Sequence, residues 1–497
     1  MKKYILITLL LIAAASTDSL AQEPEKKAMT LEEVIELASQ QSLDAFINKN
    51  MYLSSYWEFR YYKADRLPSL TLDATPFNYN RSVQKVYNFD ENRDEFVERQ
   101  SFDSDLSLLL NQNVGLTGGQ IFAQSNLSVT QKLGDDKVSS FSSTPFMIGY
   151  SQNINGYNEL KWQAKIEPLK FEQAKKQFIQ DQEALALKAT RLFFDLLDAQ
   201  IEVTISETNL ANADTLYNIG KGRFQVGTVT QDELLDLELS YMNAQLALTK
   251  AKLQLDRAEA QLNSFLGQDK NTKIECRIPA ELPELQVDAM KAVDKAMTNN
   301  PEMINQQQRL LSEDERVKIA QSETGISGDV FALYGLNQNS EEFEGVYKDP
   351  LDQQRLRIGV NIPILDWGRR KGQLSMAKSN REAVRLSINQ EKIDFEQNVI
   401  MNVMEFNLQG TQVLNSAKAD TIAQMKYDVT QQRFLIGKQD ITRLNIARTD
   451  REQARRAYIS ALRSYWNYYY SIRSLTLYDF EQEITLSENF DQIVENY

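Results

Sequence analysis

Histidine is missing from all 497 residues. Its absence removes the imidazole general base, the Ser-His and Cys-His nucleophile pairs and every zinc site built on His. The lone cysteine, Cys276, can form no internal disulfide, so the fold does not rest on covalent staples. Neither a glycine-rich phosphate loop nor a GxSxG elbow occurs. Carboxylates are then the main catalytic groups left, and long helix surfaces do not suggest a pocket where two would converge. No enzyme activity, metal or cofactor is expected. Positive charge is also in short supply, with 55 Lys and Arg against 69 Asp and Glu, a formal net charge of −14 and no basic tract. This balance argues against a nucleic-acid or polyanion partner.

A helix that crosses a bilayer needs about 20 apolar residues. The one apolar run, Tyr4 to Ala15, is shorter; it follows Lys2 and Lys3 and precedes Ser19-Leu20-Ala21. That order predicts a signal peptide over 1–21, cut after Ala21. No cysteine stands at the expected cut, where Gln22 follows Ala21, so a lipid-anchored N-terminus is not expected.

What the chain does have is repetition. Arg223-Phe224-Gln225-Val226-Gly227 recurs as Arg433-Phe434-Leu435-Ile436-Gly437, a spacing of 210 residues from Gly227 to Gly437. The same spacing relates Tyr217 to Tyr427, Ala244 to Ala454, and Ile148-Gly149 to Ile358-Gly359. Nearer the two starts, 30–44 resembles 288–302 more loosely, with Ala38 on Ala296 at a spacing of 258. The two spacings differ by 48 residues, so the first copy carries an insertion between Leu67 and Ile148.

Each copy reads helix, strand pair, long helix, tight turn, helix. Thr30-Leu31-Glu32-Glu33 is a capping box for a first helix expected over 30–66. Proline is sparse: none stands between Pro168 and Pro279, and none after Pro363. Such stretches suit long helices, expected over 158–219 and 228–266, because an interior proline costs about 3 kcal/mol. Leu185, Leu192, Leu196, Ala199, Val203 and Leu210 form one heptad seam, and Leu187, Phe194, Leu197, Ile201 and Ile205 form a second. The second copy repeats this with Val399, Val403, Phe406, Val413 and Ala417 beside Met401, Met404, Leu408 and Ile422. A helix with two seams has neighbours on both flanks, so such helices can close into a cylinder; an ordinary coiled-coil bundle or stalk is the competing reading.

Between the helices the period changes to two. Leu356, Ile358, Val360, Ile362 and Ile364 alternate with Arg355, Arg357, Asn361 and Pro363, and Ile326, Val330, Ala332, Tyr334 and Leu336 form the partner strand. Apolar toward lipid and polar toward water is the pattern of a membrane β-barrel strand, although a soluble sandwich alternates in the same way. Two strands cannot close a barrel, and an open edge in lipid leaves backbone groups without partners. Closure then requires several chains. In the first copy 67–77 and 146–154 are the expected equivalent pair, 106–110 and 121–129 an extra hairpin in the wall or beside it, and 90–99 an exposed loop.

Signal peptide, Thr30-Leu31-Glu32-Glu33 opening, Leu67-Pro68-Ser69-Leu70 strand, Ile362-Pro363-Ile364-Leu365-Asp366-Trp367-Gly368-Arg369-Arg370 and the paired Arg-Phe-x-x-Gly turns together resemble TolC-type outer-membrane factors. The resemblance covers nearly the whole mature chain. It implies a mainly α fold with a membrane β-barrel: a trimeric α-barrel of twelve helices and a shared barrel ordinarily of twelve strands. The expected organisation is a signal peptide over 1–21 and a first repeat over 22–272 with its β segment at about 67–155. A connector over 273–286, a second repeat over 287–476 with its β segment at about 325–365, and a tail over 477–497 follow. The resemblance further implies an outer-membrane channel of a tripartite efflux or type I secretion system, passive, with a periplasmic helical portion. Its partners would be outer-membrane lipid, two further copies, a periplasmic adaptor and an inner-membrane pump of RND, ABC or MFS type. Adaptor-contact tips match Val226, Gly227 and Thr228 in one copy and Ile436, Gly437 and Lys438 in the other. Acidic rings that narrow such tunnels match Glu233 and Asp236, but their second-copy counterparts are Arg443 and Ile446. This departure suggests a mixed ring at the aperture, with Arg443 paired to Glu233 or Asp236; plain exposure of these charges on a helix is the competing reading. The alternative is a periplasmic coiled-coil scaffold or stalk.

Overall fold

The computed structural model describes residues 26–133, 137–269, 272–279, 282–283, 285–436, 438–439 and 441–495. The expected signal peptide, 1–21, lies outside the described residues. The chain divides into two compact units, one of Met1–Tyr52, Lys175–Pro301 and Ile393–Tyr497, the other of Leu53–Ala174 and Glu302–Lys392.

The first unit is helical. Strand β1 (Lys26–Met29) leads into α1 (Leu31–Gln41), whose capping box is formed: Thr30 Oγ1 accepts from the Glu33 amide, and the Glu33 side chain accepts from the Thr30 amide. The single helix expected over 30–66 is instead two, α1 and α2 (Leu43–Asp65), divided at Ser42. Ser42 takes extended backbone angles, its amide still donates to Ala38 O at 3.1 Å, and its hydroxyl accepts from the Ala45 amide at 3.1 Å. One residue thus ends one helix and caps the next. The second copy breaks at the equivalent place: α5 (Ala289–Asn299) ends at Asn300, whose amide donates to Ala296 O at 3.0 Å, and α6 (Pro301–Thr324) begins on a proline. Proline is favoured at the first helical position and forces the residue before it to be extended. The looser repeat spacing therefore corresponds to a shared structural break.

The two longest helices are α3 (Glu159–Gln225) and α7 (Arg369–Leu435), each of 67 residues, and each is followed by a helix of 36, α4 (Gln231–Leu266) and α8 (Ile441–Thr476). Phe193, Phe194 and Leu196 of α3, Leu262 and Leu266 of α4, Val403 and Phe406 of α7, and Ile459, Leu462 and Tyr465 of α8 make the core of this unit. The expected connector contains a strand, β6 (Lys273–Cys276), which pairs in parallel with β1. Gln200 of α3 holds it, donating to Ile274 O at 2.6 Å and accepting from the Cys276 amide at 3.0 Å. Cys276 is buried, and burial pushes its thiol up to about 12, so it is inert.

The tail expected over 477–497 packs into this unit. Tyr478, Asp479 and Phe480 are buried, and Phe490 of α9 (Phe490–Glu495) packs on Tyr52 at a ring separation of 5.0 Å. A buried ion-pair cluster ties it in. Arg473 of α8 bonds Glu183 of α3 through Nε and Nη2, both at 2.9 Å, and its Nη1 donates to Asp479. Removing the cation would leave two carboxylates without their partner in a largely dry site, which typically costs about 3–5 kcal/mol. Arg473→Met is expected to lower the thermal unfolding midpoint of the detergent-solubilised protein well below that of a surface control such as Arg385→Met.

The second unit carries one antiparallel sheet of six strands in the order β2-β3-β4-β5-β7-β8. These are β2 (Ser69–Asn88), β3 (Arg93–Val114), β4 (Gly119–Leu133), β5 (Ser139–Ile154), β7 (Ser327–Ser340) and β8 (Leu351–Asn361). Two expectations change here. The 67–77 strand pairs with β3, not with the 146–154 strand, which instead joins β7 of the second copy. The extra hairpin is thus interior to the sheet. The 90–99 segment is only partly a turn, since β3 begins at Arg93, and cross-strand pairs such as Arg81–Glu98 and Lys85–Asp94, both at 2.6 Å, zip the projecting hairpin. Pro145 coincides with shifts of register on both flanks of β5, and Pro76 with another in β2. A residue without an amide hydrogen cannot continue a ladder, and the strand accommodates it as a bulge.

Candidate pore wall and helix tips

The pairing registers show which side chains share a face of the sheet. Leu70, Leu72 and Ala74 of β2 lie beside Leu110, Leu108 and Leu106 of β3, which continue to Ala123, Ser125 and Leu127 of β4. The same face carries Ile148 and Tyr150 of β5, Tyr334, Ala332 and Val330 of β7, and Leu356 and Ile358 of β8. The aliphatic side chains on it are open to the surroundings: Leu70 is 66% exposed, Leu72 63%, Leu356 70% and Ile358 67%. The opposite face bears Thr71, Asp73, Ser107, Asp105, Gln124, Asp329, Arg355 and Arg357. An exposed aliphatic face this wide is far beyond the patch size that a water-surrounded protein tolerates. Among the described residues no helix is long and apolar enough to cross a membrane.

Glycine shapes the polar face at one point. A Cβ on Gly149 would overlap Phe122 Cζ, so glycine lets that ring lie across β5. It reaches Phe331 of β7 at a ring separation of 5.9 Å, and the Arg357 guanidinium lies 5.6 Å from the Phe331 ring centre.

The extra hairpin is fastened where it meets the helices of its own unit. Asn158 Oδ1 caps α3 by accepting from the Lys161 amide at 3.1 Å, while its Nδ2 donates to Gly115 O at 3.0 Å and Leu116 O at 3.2 Å. Gln112 Nε2 donates to Arg66 O at 3.0 Å, Asn113 Nδ2 to Asp65 O at 3.2 Å, and Gln152 Nε2 to Thr117 O at 3.0 Å. No repeat or motif pointed to Asn158, and its place immediately before a long helix is the one signal that could have.

The Asp366 motif at the end of β8 is a helix cap. Asp366 accepts from the Gly368 amide at 3.0 Å and the Arg370 amide at 3.3 Å, and these bonds hold its carboxyl below the usual carboxylate range. Trp367 and Gly368, both at positive φ, make the turn into α7.

The helix tips lie in the first unit. After α3, Gly227 sits at φ +75, its amide donates to Phe224 O at 3.0 Å, and the Thr228 amide donates to Arg223 O at 2.9 Å. This six-residue closure around a left-handed glycine is the Schellman helix stop. The second copy makes the equivalent bond from the Lys438 amide to Arg433 O at 2.9 Å, while Gly437 lies outside the described residues. Val226 and Ile436 are 73% and 66% exposed, each a bare apolar side chain at a tip.

Glu233 turns out to be engaged locally. It is the third residue of a capping box on α4, accepting from the Thr230 amide at 2.8 Å and hydroxyl at 3.0 Å, and these bonds hold its carboxyl low. Asp236 is exposed one turn further on, as is Arg443 on α8. Just behind the tip the copies diverge at matching positions: Tyr217 stacks on Tyr241 at 5.9 Å, whereas Tyr427 carries the Arg451 guanidinium 4.1 Å from its ring centre.

Residues 113–268 and 292–476 each match the family model described as outer membrane efflux protein, one match per copy of the repeat. Among curated proteins no sequence matches the chain. Solved structures share the fold at low identity. The CmeC outer membrane channel of Campylobacter jejuni aligns at 16% identity and TM-score 0.66 over 94% of this chain and 88% of that one. VceC of Vibrio cholerae aligns at 13% and 0.55 over 90% and 95%, and the open-state MtrE channel of Neisseria gonorrhoeae at 12% and 0.58 over 92% and 89%.

A charge at the bilayer midplane of a barrel's outer face costs about 2–4 kcal/mol. Leu108→Lys is therefore expected to deplete the protein from outer membranes, while Ser107→Lys, one residue away on the polar face, leaves its level within error; immunoblots of fractionated membranes measure both. At the tip, Thr230→Val is expected to weaken the α4 start by about 1 kcal/mol. A carboxyl with a lowered folded-state pKa stabilises above its ordinary value of 4.5 and ceases to as pH falls through the folded value. Amide-exchange protection of Thr230 should accordingly drop below that pH.

Proposed function

Because the chain belongs to the outer membrane efflux protein family, an outer-membrane channel and not an enzyme, we propose that three copies form the exit duct of a tripartite efflux or type I secretion machine. The observation that carries this reading is an exposed aliphatic sheet face ending in two unpaired edge strands, β2 and β8. Backbone groups cannot go unpaired in hydrocarbon, so the edges must meet those of other copies.

The helical unit supports the same reading. Met401, Met404, Leu408 and Ile422 of α7 form a seam left 56–63% exposed, and Leu235, Leu239, Met242, Leu246 and Leu253 of α4 form another, 52–59% exposed. Both have heptad spacing, and among the described residues of the protomer neither is covered by a partner helix. Two complementary unsatisfied seams are what a ring of identical copies requires.

Substrate passage along such a duct is passive, and energy comes from an inner-membrane pump of RND, ABC or MFS type through a periplasmic adaptor. The adaptor is proposed to dock on the tips Val226-Gly227-Thr228 and Ile436-Gly437-Lys438, where apolar side chains stand on rigid helix stops. Glu233, Asp236 and Arg443 are proposed to line the aperture as a ring of both signs. Converging acids raise local cation concentration, and Arg443 opposes this. The domain limits given above, with the repeats at 22–272 and 287–476, belong to the same proposal.

The purified protein is expected to need detergent, to fractionate with outer membrane and to run as a trimer; a chain that washes free of membrane as a monomer is the scaffold alternative. In planar bilayers, Glu233→Gln with Asp236→Asn should lower cation over anion permeability, and Arg443→Ala should raise it. Identical selectivity in all three channels would remove the aperture assignment.

A further inference from the structure

The sheet has two strands more than such a channel would need from each protomer, and they are not ornaments. β3 and β4 occupy the second and third places in the sheet order, paired to each other without interruption and to β2 and β5 on either side by ladders broken only at the bulges beside Pro76 and Pro145. Their face alternation agrees with that of every neighbour, so Leu106, Leu108 and Leu110 continue the aliphatic face without a break. Their turn is bonded to the helix ends through Asn158, Gln112 and Asn113. A hairpin merely folded against the wall would carry none of these constraints.

We infer that β3 and β4 are wall strands, and that the assembled barrel has eighteen strands, six from each of three protomers, instead of the twelve ordinarily found in channels that it resembles. The inference rests on the trimeric channel reading. The occupant of each open edge is a second copy of this chain: β8 of one protomer pairs with β2 of the next. Every adjacent pair in the sheet is antiparallel, and with six strands the first and last run in opposite directions, so closure continues the same pattern. Slipping the junction by one residue would turn every side chain to the wrong face, which restricts the register to steps of two. The level register, Ser69 beside Asn361, sets Leu72 against Ile358 on the aliphatic face and Asp73 against Arg357 on the polar one. Charge agrees with this choice. Toward the β2 edge the polar face carries Asp73 and Asp105, and the β8 edge carries Arg355 and Arg357. Arg357 already reaches Asp329 at 3.4 Å, whereas Asp73 and Arg355 have no charged or hydrogen-bonding partner among the described residues of the protomer.

Eighteen strands put this wall among barrels that leave an aqueous channel, and barrel diameter grows roughly in proportion to strand number. The outer-membrane mouth would then be about one and a half times as wide as a twelve-stranded one. Such a duct is narrowest elsewhere, and bulky cargo would meet little resistance in the membrane.

Disulfide formation needs Cα atoms within about 7 Å, which only adjacent strands provide. Thr71→Cys, Asp73→Cys and Thr75→Cys are each combined with Arg357→Cys in the full-length protein and oxidised in native outer membranes. Native Cys276 is buried and takes no part. The expected result is a covalent ladder up to trimer from at least one β2 position. The combination of Gln124→Cys with Arg357→Cys reports the rival wall, in which β2 and β3 swing out and β8 meets β4 of the next copy. Cross-linking there, or none from any β2 position in a protein that still migrates as a trimer, overturns the eighteen-stranded wall and leaves the channel reading standing. A protein that does not trimerise in the membrane overturns the channel reading instead.

Discussion

Peptide groups in hydrocarbon must find partners within the protein, and most of this molecule follows from that requirement. It explains why the sheet is long, why its bulges fall at prolines, and why its aliphatic face is continuous over six strands from two copies of a repeat. It also explains why a protomer by itself is unfinished. Among the described residues β2 and β8 end the sheet with open ladders, and α4 and α7 present heptad seams that stay exposed. In the proposed ring these deficits are met by further copies of the same chain, so the burial that completes the fold would also be the assembly step.

Polar bonds fix where the helices begin and end around the apolar core. Thr30 with Glu33 and Thr230 with Glu233 form matching capping boxes, Asn158 and Asp366 cap the two longest helices, and Gly227 ends one of them. Each of these satisfies amides or carbonyls that a helix terminus would otherwise leave bare. The Glu183–Arg473–Asp479 cluster does the equivalent work for the tail, drawing a segment of charged and aromatic residues into the core.

Much of this was legible in the residues. The Arg-Phe-x-x-Gly repeat located both tips, the proline-free stretches located the long helices, and the alternation of Leu356, Ile358 and Val360 located the wall. What escaped was long-range. The pairing of β2 with β3 could not be read, because alternation marks a strand without naming its neighbour. The break at Ser42 was hidden because serine is also tolerated within helices, whereas its counterpart at Asn300 is announced by Pro301. Glu233 illustrates a different limit: an acid near a tip reads as an aperture charge, yet three residues from Thr230 it is also a cap, and both readings use one carboxylate. Asp479 and Glu183 are nearly three hundred residues apart, and nothing in composition brings them together on Arg473.

The turn at 115–118, which returns the chain to the helices after β3, has a bearing on how such proteins diversify. A chain that must re-enter its next helix on the side it left can lengthen its wall only by whole hairpins. In a three-fold ring every inherited hairpin counts three times, so circumference is quantised in increments of six strands. Lineages of such ducts should then differ by discrete jumps in bore, each traceable to a single insertion in one half of an ancestral duplication, with the helical half left undisturbed.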